Sequence, residues 1–313
     1  LSPMKLLVTV PAYNEEKSII EVVRSVPRKI KGIDSVKVLV YDDGSTDHTA
    51  RSAKKAGADY VYSHKRNRGL ARTFKDALDA ALELGADVIV NTDADNQYDQ
   101  AEIPKLVAPI LNGTADLVIG DRQVATLNHM PMSKKYGNML GSAFIRSFTG
   151  MKVADASSGF RAHSRECAQT LSIVSEHTYT HETLIDAFFK GMVIVDVPVL
   201  FRKRESGQSR LIARGVMNHI VKSVATIIRT VLLYRALYVL SVTGSVIGAI
   251  GLGGIIRYLY FALIEGDAGG HVQSLVISSV LIGTGINIIF LGFIADLLAY
   301  NRRMIEEGLS SRS

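Results

Sequence analysis

The chain contains 313 residues, 47% of them hydrophobic, and carries a formal charge of +6 at neutral pH. That length accommodates one large domain or a domain with an appendage. Its single cysteine, Cys167, excludes an intrachain disulfide and a thiolate metal cluster. Eight of the 36 Lys and Arg residues fall between positions 202 and 235, just before an apolar C-terminal region, which favours a membrane surface over nucleic acid as the partner.

Short apolar runs alternate with helical patterns in the first two thirds of the chain. Strands are predicted at residues 6–10, 36–41, 60–62, 88–90 and 117–119. Residues 70–84 carry an apolar side chain at every fourth position, which predicts a helix. The alternation predicts an α/β domain with a mainly parallel, Rossmann-like sheet and helices on both faces. In such a domain, ligands bind beyond the carboxyl ends of the strands.

The first and third predicted strands end in segments that bear on nucleotide binding. The first runs into VPAYNEE at residues 10–16, which lacks the glycine-rich turn of a dinucleotide site and therefore disfavours NAD. The third is followed by KRNRGL at residues 65–70. Basic residues and a glycine at the start of a helix are a natural position for a diphosphate.

The second predicted strand ends in the motif YDDGSTD. Gly44 permits a tight turn, and Ser45 or Thr46 either caps the next helix or contacts a ligand. Capping does not explain the two adjacent carboxylates, Asp42 and Asp43. At a strand end, one of them could accept a hydrogen bond from a nucleobase ring N–H.

The fourth predicted strand leads into NTDADNQ, in which Asp93, Asp95 and Gln97 occupy alternate positions. In an extended chain, residues two apart point the same way. Three oxygen ligands on one side suit a hard cation, Mg²⁺ or Mn²⁺, whose remaining coordination sites diphosphate oxygens can fill. A polar turn after a buried strand is the alternative interpretation.

Two apolar stretches, residues 236–256 and 272–295, contain no charged residue, and each is long enough to span a bilayer as a helix. The intervening loop at 265–271 has no Lys or Arg, whereas both outer flanks are basic, which orients the N-terminal domain towards the cytoplasm. Glycines in both stretches allow close helix packing, either within a hairpin or between copies in a homo-oligomer. Buried helices of a soluble domain are the alternative.

The segment before the first apolar stretch has an apolar stripe with Lys222 and Arg229 on other faces. This pattern predicts an interfacial helix along the membrane, or a further packed helix of the domain. The expected organisation is a cytoplasmic domain at 1–212, a juxtamembrane amphipathic helix at 213–234, two transmembrane helices with a short extracytoplasmic loop at 235–303, and a cytoplasmic tail at 304–313.

Seven motifs occur along the chain in a fixed order: VPAYNEE, YDDGSTD, NRGLARTFKDAL, NTDADNQ, GDRQ, SSGFR and FRKRESGQSR. In this order they resemble family 2 glycosyltransferases of the GT-A fold, above all the polyprenyl-phosphate group that contains dolichol-phosphate mannose synthases and bactoprenol glucosyltransferases. The resemblance covers about the first two thirds of the chain and implies a catalytic domain followed by a transmembrane α-helical hairpin.

The resemblance implies a metal-dependent, inverting transfer of a single sugar from a nucleotide-diphosphate sugar to a polyprenyl phosphate, such as dolichyl or undecaprenyl phosphate. The resulting sugar lipid would serve glycosylation outside the cytoplasm. The motifs do not select among GDP-mannose, UDP-glucose and a UDP-N-acetylhexosamine as the donor. They also leave the type and length of the prenyl chain open.

The resemblance also assigns residues to the substrates and the metal. The donor nucleotide sugar would be bound by Pro11, Ala12, Tyr13, Glu15, Asp42, Asp43, Arg68, Gly69, Asp93, Ala94 and Asp95. The metal would be held by Asp93, Asp95 and Gln97, with Asp95 as the direct ligand of the diphosphate-bound ion. The acceptor phosphate would be contacted by Arg122, Lys135, Arg204, Ser209 and Arg210. The family usually has Lys at the position of Arg210, which changes the donor geometry.

The catalytic residues implied by the resemblance are Asp95, Arg122, Asp155 and Glu182. A phosphate monoester, with a second pKa near about 6, is already ionised at neutral pH, so a general base is optional. Asp155 resembles the acidic residue near the acceptor in related enzymes. Glu182 either takes that role or is a first-turn residue favoured by the helix dipole.

Two other functions are compatible with part of the pattern. A processive polysaccharide synthase shares the early motifs, but it needs more membrane spans and usually carries a Gln-x-x-Arg-Trp motif, and this chain has no tryptophan. A non-catalytic membrane scaffold would keep the fold without the chemistry. The intact metal-binding motif argues against a scaffold.

Overall fold

The structure, a computed structural model, describes residues 3–127, 130–173, 179–203, 216–266 and 269–310. Within this part, only the backbone is described at positions 133, 134, 148, 216–224, 227, 270, 303 and 305–310. The chain divides into two compact units, Leu1–Ile227 and Ile228–Ser313.

The first unit is built around one sheet. The strands are β1 (Lys5–Ala12), β2 (Ser35–Asp42), β3 (Tyr60–Ser63), β4 (Val88–Asn91), β5 (Leu117–Asp121), β6 (Arg161–Ser164) and β7 (Ile194–Pro198). Their order in the sheet is β3-β2-β1-β4-β6-β5-β7. Strand β6 pairs antiparallel with both β4 and β5, whereas the other described pairings are parallel. The carboxyl ends of the remaining strands therefore share one edge, and β6 begins at that edge.

Helices connect the strands and continue into the second unit. They are α1 (Ile19–Ser25), α2 (Thr49–Ala56), α3 (Leu70–Glu83), α4 (Ile103–Leu111), α5 (Met132–Thr149), α6 (Arg165–Thr170), α7 (Thr180–Phe189), α8 (Val216–Leu263) and α9 (Val272–Ser310). Short 3-10 helices lie at Gln100–Glu102, Val124–Thr126 and Gly269–His271.

The sheet separates two apolar cores because alternate residues of a strand point to opposite faces. Val8 and Val10 of β1 belong to the core that includes residues of α1 and α4. Leu7 belongs to the opposite core, together with Phe74 and Leu78 of α3. The five predicted strands and the predicted helix at 70–84 are confirmed by β1 to β5 and α3. Strands β6 and β7 had not been predicted.

The second unit contains two helical segments that are long and apolar enough to cross a membrane, Ile228–Leu263 and Val272–Arg302. They include both charge-free stretches of the sequence. Helix α8 is interrupted at Arg235, whose φ of −140° and ψ of 39° are not helical. The interruption separates the part of α8 that begins at Val216 from the apolar part that follows.

The two apolar helices touch through glycine backbones. A Cβ atom at Gly244 would lie 2.5 Å from the carbonyl oxygen of Gly285, and one at Gly285 would lie 2.5 Å from that of Gly244. A Cβ atom at Gly251 would lie 2.8 Å from Ser278 O. Small residues thus permit the close backbone approach that stabilises helix pairs in lipid.

Substitution Gly244→Leu should force these helices apart and destabilise the second unit by about 1–3 kcal/mol, the usual cost of overpacking. Thermal unfolding of the full chain in detergent measures the effect. The matched control is Gly253→Leu, since a Cβ atom at Gly253 meets nothing within 4 Å. Equal unfolding temperatures for the two variants would contradict the described packing.

Candidate active site

The motif predicted to bind a metal lies in a turn after β4. Strand β4 ends at Asn91, and Asn96 adopts a positive φ of 59°. The backbone N–H of Gln97 donates to Oδ1 of Asp95 at 3.2 Å. The inference that Asp93, Asp95 and Gln97 alternate along extended chain is therefore wrong, because the chain turns here. Other parts of the site must fix these side chains.

The Asp93 carboxylate lies against Gly159, in the loop that precedes β6. A Cβ atom at Gly159 would lie 2.9 Å from Oδ1 and 3.2 Å from Oδ2 of Asp93, so a larger residue would displace the carboxylate. Asn91 Nδ2 donates to Gly159 O at 2.8 Å and to Tyr179 Oη at 2.9 Å. The end of β4 is thus tied to the loop that supports Asp93.

Two buried tyrosines, Tyr98 and Tyr179, complete the surroundings of Asp93. The backbone N–H of Gly159 donates to Tyr98 Oη at 3.2 Å. Burial, with a smaller contribution from the Asp93 charge, raises the pKa of Tyr98 to about 12. Burial and then the Asp93 charge raise the pKa of Tyr179 well above its usual value. Both phenols therefore stay neutral at neutral pH. Neither tyrosine was predicted from the sequence, although Tyr98 directly follows the NTDADNQ motif.

The donor atoms of the motif fit a hard divalent cation. In the described part of the chain, no three His, Cys, Asp or Glu side chains cluster closely enough to hold a metal. The candidate set remains the one predicted from the sequence, the carboxylates of Asp93 and Asp95 completed by the carboxamide of Gln97. Gln97 Nε2 donates to Arg202 O at 3.2 Å, which makes Oε1 the atom suited to a metal. Such an oxygen set suits Mg²⁺ or Mn²⁺ and leaves coordination positions for phosphate.

Arg122, just after β5, forms a buried ion pair with Asp155. Arg122 Nε donates to Asp155 Oδ2 at 2.6 Å, and Nη2 donates to Asp155 Oδ1 at 2.9 Å and to Ser157 Oγ at 2.6 Å. The side chains are 11% and 2% exposed. Burial by itself would raise the pKa of Asp155. Hydrogen bonds from Arg122 and the attraction of its charge outweigh this effect and hold the pKa of Asp155 below its usual value. Asp155 is therefore a poor proton acceptor at neutral pH.

The loop that carries Asp155 and Gly159 is braced from inside by Arg161, the first residue of β6. Arg161 is fully buried, and burial lowers its pKa from the usual value. Its Nε donates to Ser158 O at 2.8 Å and its Nη2 to Ala156 O at 2.9 Å. Its Nη1 donates to Thr183 Oγ1 at 2.9 Å. The Arg of the SSGFR motif therefore shapes the loop rather than facing a ligand.

The segment after β7 lies beside the turn that follows β4. Arg202 N donates to Gln97 O at 2.7 Å, and Arg202 Nη2 contacts the Asp99 carboxylate. The Arg122 guanidinium lies 5.3 Å from the centre of the Phe201 ring, within cation–π range. The first residues of the FRKRESGQSR motif therefore join Arg122 to the turn after β4.

The end of β2 is joined to the basic loop before α3. Asp42 accepts a hydrogen bond from Ser45 N at 3.2 Å, which closes the turn. Asp43 Oδ1 accepts from Arg68 N at 2.8 Å, and Asp43 Oδ2 accepts from Gly69 N at 2.9 Å. Gly69 has a φ of 93°, which favours glycine. Asp43 is thus engaged by the loop predicted to hold the diphosphate.

The residues predicted to bind the nucleotide at the end of β1 lie next to β2. They are Pro11, Ala12, Tyr13 and Glu15. Asp43 N donates to Ala12 O at 2.8 Å. Glu15 N donates to Thr49 Oγ1, at the start of α2, at 2.8 Å. These contacts bring the polar ends of β1 and β2 together, as parallel strands require.

The predicted acceptor-side residues are described only in part. Lys135 Nζ donates to Ala125 O at 3.3 Å. Glu182 lies in the first turn of α7 and is 5% exposed, a position that the helix dipole favours. Arg204, Ser209 and Arg210 lie outside the described residues.

The strand order and the polar edge of the sheet define a GT-A domain. A solved structure of glucosyl-3-phosphoglycerate synthase from Mycobacterium tuberculosis, in complex with Mn²⁺, UDP and glucosyl-3-phosphoglycerate, matches the chain with a TM-score of 0.57. The two are 24% identical, and the match covers 72% of this chain and 80% of that chain. The predicted fold is confirmed.

The chain belongs to glycosyl transferase family 2, whose model matches residues 7–171. It is 31% identical to undecaprenyl-phosphate mannosyltransferase of Micrococcus luteus, over 71% of this chain and 93% of that protein. It is 28% identical to polyprenol monophosphomannose synthase of Mycolicibacterium smegmatis, over 70% and 85% of the two chains. It is also 31% identical to UDP-N-acetylglucosamine–dolichyl-phosphate N-acetylglucosaminyltransferase of Methanococcus voltae, over 61% and 82%. The predicted family is confirmed.

Substitution Asp155→Asn should lower the free energy of unfolding by about 3–5 kcal/mol at neutral pH, because it leaves the buried Arg122 charge without its partner. The pKa of Asp155 is lower in the folded state than in the unfolded state. The ionised carboxylate therefore stabilises the fold fully at pH values above the pKa of Asp155 in the unfolded state. This stabilisation is lost as the pH falls through the pKa of Asp155 in the folded state. Denaturant unfolding at pH 7 and at acidic pH measures this difference.

The matched control is Asp79→Asn, which removes the half-exposed partner of Lys75. This surface pair should contribute less than about 1 kcal/mol. If Asp155→Asn were no more destabilising than Asp79→Asn, the Arg122–Asp155 pair would not have the role described.

Proposed function

We propose that this protein transfers a single sugar from a nucleotide-diphosphate sugar to a polyprenyl phosphate in the membrane. The observation that carries the proposal is the proximity of the oxygen-rich turn after β4 to the Arg122 guanidinium, which the buried Asp155 carboxylate holds in place at one edge of the sheet. The two candidate spans in the same chain, and relatives named for polyprenyl, dolichyl and undecaprenyl phosphates, support a lipid acceptor.

On the donor side, Asp93, Asp95 and Gln97 would hold Mg²⁺ or Mn²⁺. Bound there, the ion supplies Lewis-acid neutralisation of the departing diphosphate. Arg68 adds a positive charge near the same diphosphate. The base and ribose would be bound by residues at the ends of β1 and β2, namely Pro11, Ala12, Tyr13, Glu15, Asp42 and Asp43. The structure of glucosyl-3-phosphoglycerate synthase in complex with Mn²⁺ and UDP, which shares the fold, is in keeping with this proposal.

On the acceptor side, Arg122 would bind the lipid phosphate. Asp155 and Ser157 engage its Nε and Nη2, so Nη1 is the nitrogen suited to a phosphate oxygen. Holding the guanidinium rigid lowers the entropy cost of aligning two anions that otherwise repel. Lys135 and the segment with Arg204, Ser209 and Arg210 are proposed as further acceptor contacts.

The acceptor phosphate would attack the anomeric carbon from the face opposite the leaving nucleotide, which inverts the configuration. We propose that no side chain needs to act as the base, because the phosphate is already ionised. Asp155 then serves to position Arg122, in keeping with its lowered pKa. Glu182 is the other carboxylate proposed for the acceptor side.

The proposed orientation has the GT-A domain in the cytoplasm and the sugar lipid used on the other side of the membrane. The basic flanks and the loop without Lys or Arg support this orientation. The relatives transfer either mannose or N-acetylglucosamine, so GDP-mannose, UDP-glucose and UDP-N-acetylhexosamines are all donors to be tested.

The full chain in detergent should release one nucleoside diphosphate for each sugar lipid formed, in the presence of polyprenyl phosphate and Mn²⁺. EDTA should abolish the transfer. The assay measures nucleotide release and lipid product for each donor. A polymeric product would instead indicate a processive synthase, and no nucleotide release with any donor would indicate a non-catalytic scaffold.

Substitution Asp95→Asn should reduce transfer at least about 100-fold, because it weakens the hold on the ion that neutralises the departing diphosphate, and losing one such stabilising interaction costs roughly that much. The folded state should be retained, as judged by thermal unfolding. Glu83→Gln is the matched control, because Glu83 is exposed on α3. Comparable transfer rates in the two variants would exclude Asp95 from the reaction.

A further inference from the structure

A buried histidine, His64, bridges two carboxylates next to the proposed donor site. Its Nδ1 lies 2.8 Å from Asp43 Oδ1, and its Nε2 lies 2.9 Å from Asp76 Oδ2. The three side chains are 7%, 5% and 14% exposed, respectively. An imidazole is the side chain that presents two nitrogens, on opposite sides of one ring, to two such acceptors.

Both carboxylates held by His64 also hold Arg68. Asp43 accepts a hydrogen bond from the backbone N–H of Arg68 at 2.8 Å. Asp76 lies 3.5 Å from Arg68 Nη1 and 3.0 Å from Arg72 Nε. His64 therefore connects the partner of the Arg68 backbone to the partner of its guanidinium. The Arg68 side chain is 45% exposed, so it is accessible to a ligand.

The surroundings leave little freedom for this network. The His64 ring is 4.9 Å from the ring of Tyr41, and His64 N donates to Asp42 O at 2.9 Å. A Cβ atom at Gly44 would lie 2.5 Å from the carbonyl carbon of Arg66, so the turn after β2 packs directly against the basic loop. The loop is therefore held at its start by His64 and at its end by Asp43.

We infer that His64 is a positioning residue that fixes Arg68 for the diphosphate of the donor. This inference rests on the proposed function, because it takes Arg68 as a diphosphate contact. His64 itself contacts no substrate and acts through Asp43 and Asp76. Asp43 then orients the loop, in addition to its proposed contact with the base or ribose of the donor. Loosening the network should weaken binding of the nucleotide sugar. It should not change binding of the lipid acceptor or the rate of the chemical step.

Two single substitutions separate the two contacts of His64. In His64→Asn, the side-chain amide can occupy the position of Nδ1 and keep the contact with Asp43. In His64→Gln, it can occupy the position of Nε2 and keep the contact with Asp76. Each variant should raise the KM for the nucleotide sugar about tenfold, as expected for one lost hydrogen bond to a charged group. The kcat and the KM for polyprenyl phosphate should stay within about twofold.

A double-mutant cycle with Arg68→Ala tests whether His64 acts through Arg68. If it does, His64→Gln should raise the donor KM in the wild-type background and cause no further rise in the Arg68→Ala background. If His64 has only a structural role, His64→Gln should raise the donor KM equally in both backgrounds, or change kcat and both KM values to the same extent. Either result would overturn the inference. His48→Gln is the control, since His48 is exposed at the start of α2 and should behave as wild type.

Binding of GDP and of UDP, each with Mn²⁺, separates this inference from the proposed function. If His64→Gln binds the nucleotide more weakly than wild type, the inference is supported, even if wild type transfers no sugar. The absence of transfer by wild type would overturn only the proposed function. Wild-type transfer with an unchanged donor KM in both His64 variants would overturn the inference alone. Wild type that binds neither nucleotide would overturn both.

Discussion

The reversal of one strand in a parallel sheet is the constraint on which the site depends. Because β6 runs against β4 and β5, its first residue, Arg161, pairs with Asn91 and with Ile119 at the edge where those strands end. The loop before β6 therefore reaches the same edge. That loop carries Gly159, which supports Asp93, and Asp155, which holds Arg122. An all-parallel sheet would bring the loop to the opposite edge.

The site keeps its charged side chains fixed before any substrate binds. Arg122 is held by Asp155 and Ser157, whereas the buried Arg161 donates to two carbonyl groups and a hydroxyl. The two arginines thus have different roles: one carries charge at the edge of the sheet, and the other shapes the loop beneath it. Prearranged donors of this kind lower the reorganisation needed when anions meet in a site of low polarity.

Much of the fold was predictable because β1, β2, β4 and β5 are short apolar runs, as expected for strands covered on both faces. Strand β6 was not, because RAHS is polar in sequence and is buried only through distant contacts. His163 illustrates this, since burial lowers its pKa to about 3 and keeps it neutral. The structure brings several of the predicted site residues to one edge of the sheet, because the strands before them end there, but their geometry could not be predicted from the sequence. The turn at Asp95 and the His64 network depend on local and tertiary hydrogen bonds that no sequence period encodes.

The proposed transfer depends on a divalent ion that binds at the turn after β4 and carries the donor diphosphate. Anomalous diffraction at the manganese edge, from crystals of the full chain grown with Mn²⁺ and a nucleoside diphosphate, locates this ion. We expect a manganese peak about 2.1 Å from a carboxylate oxygen of Asp95 and in contact with the diphosphate. A manganese peak elsewhere, or a diphosphate bound away from this turn, would contradict it.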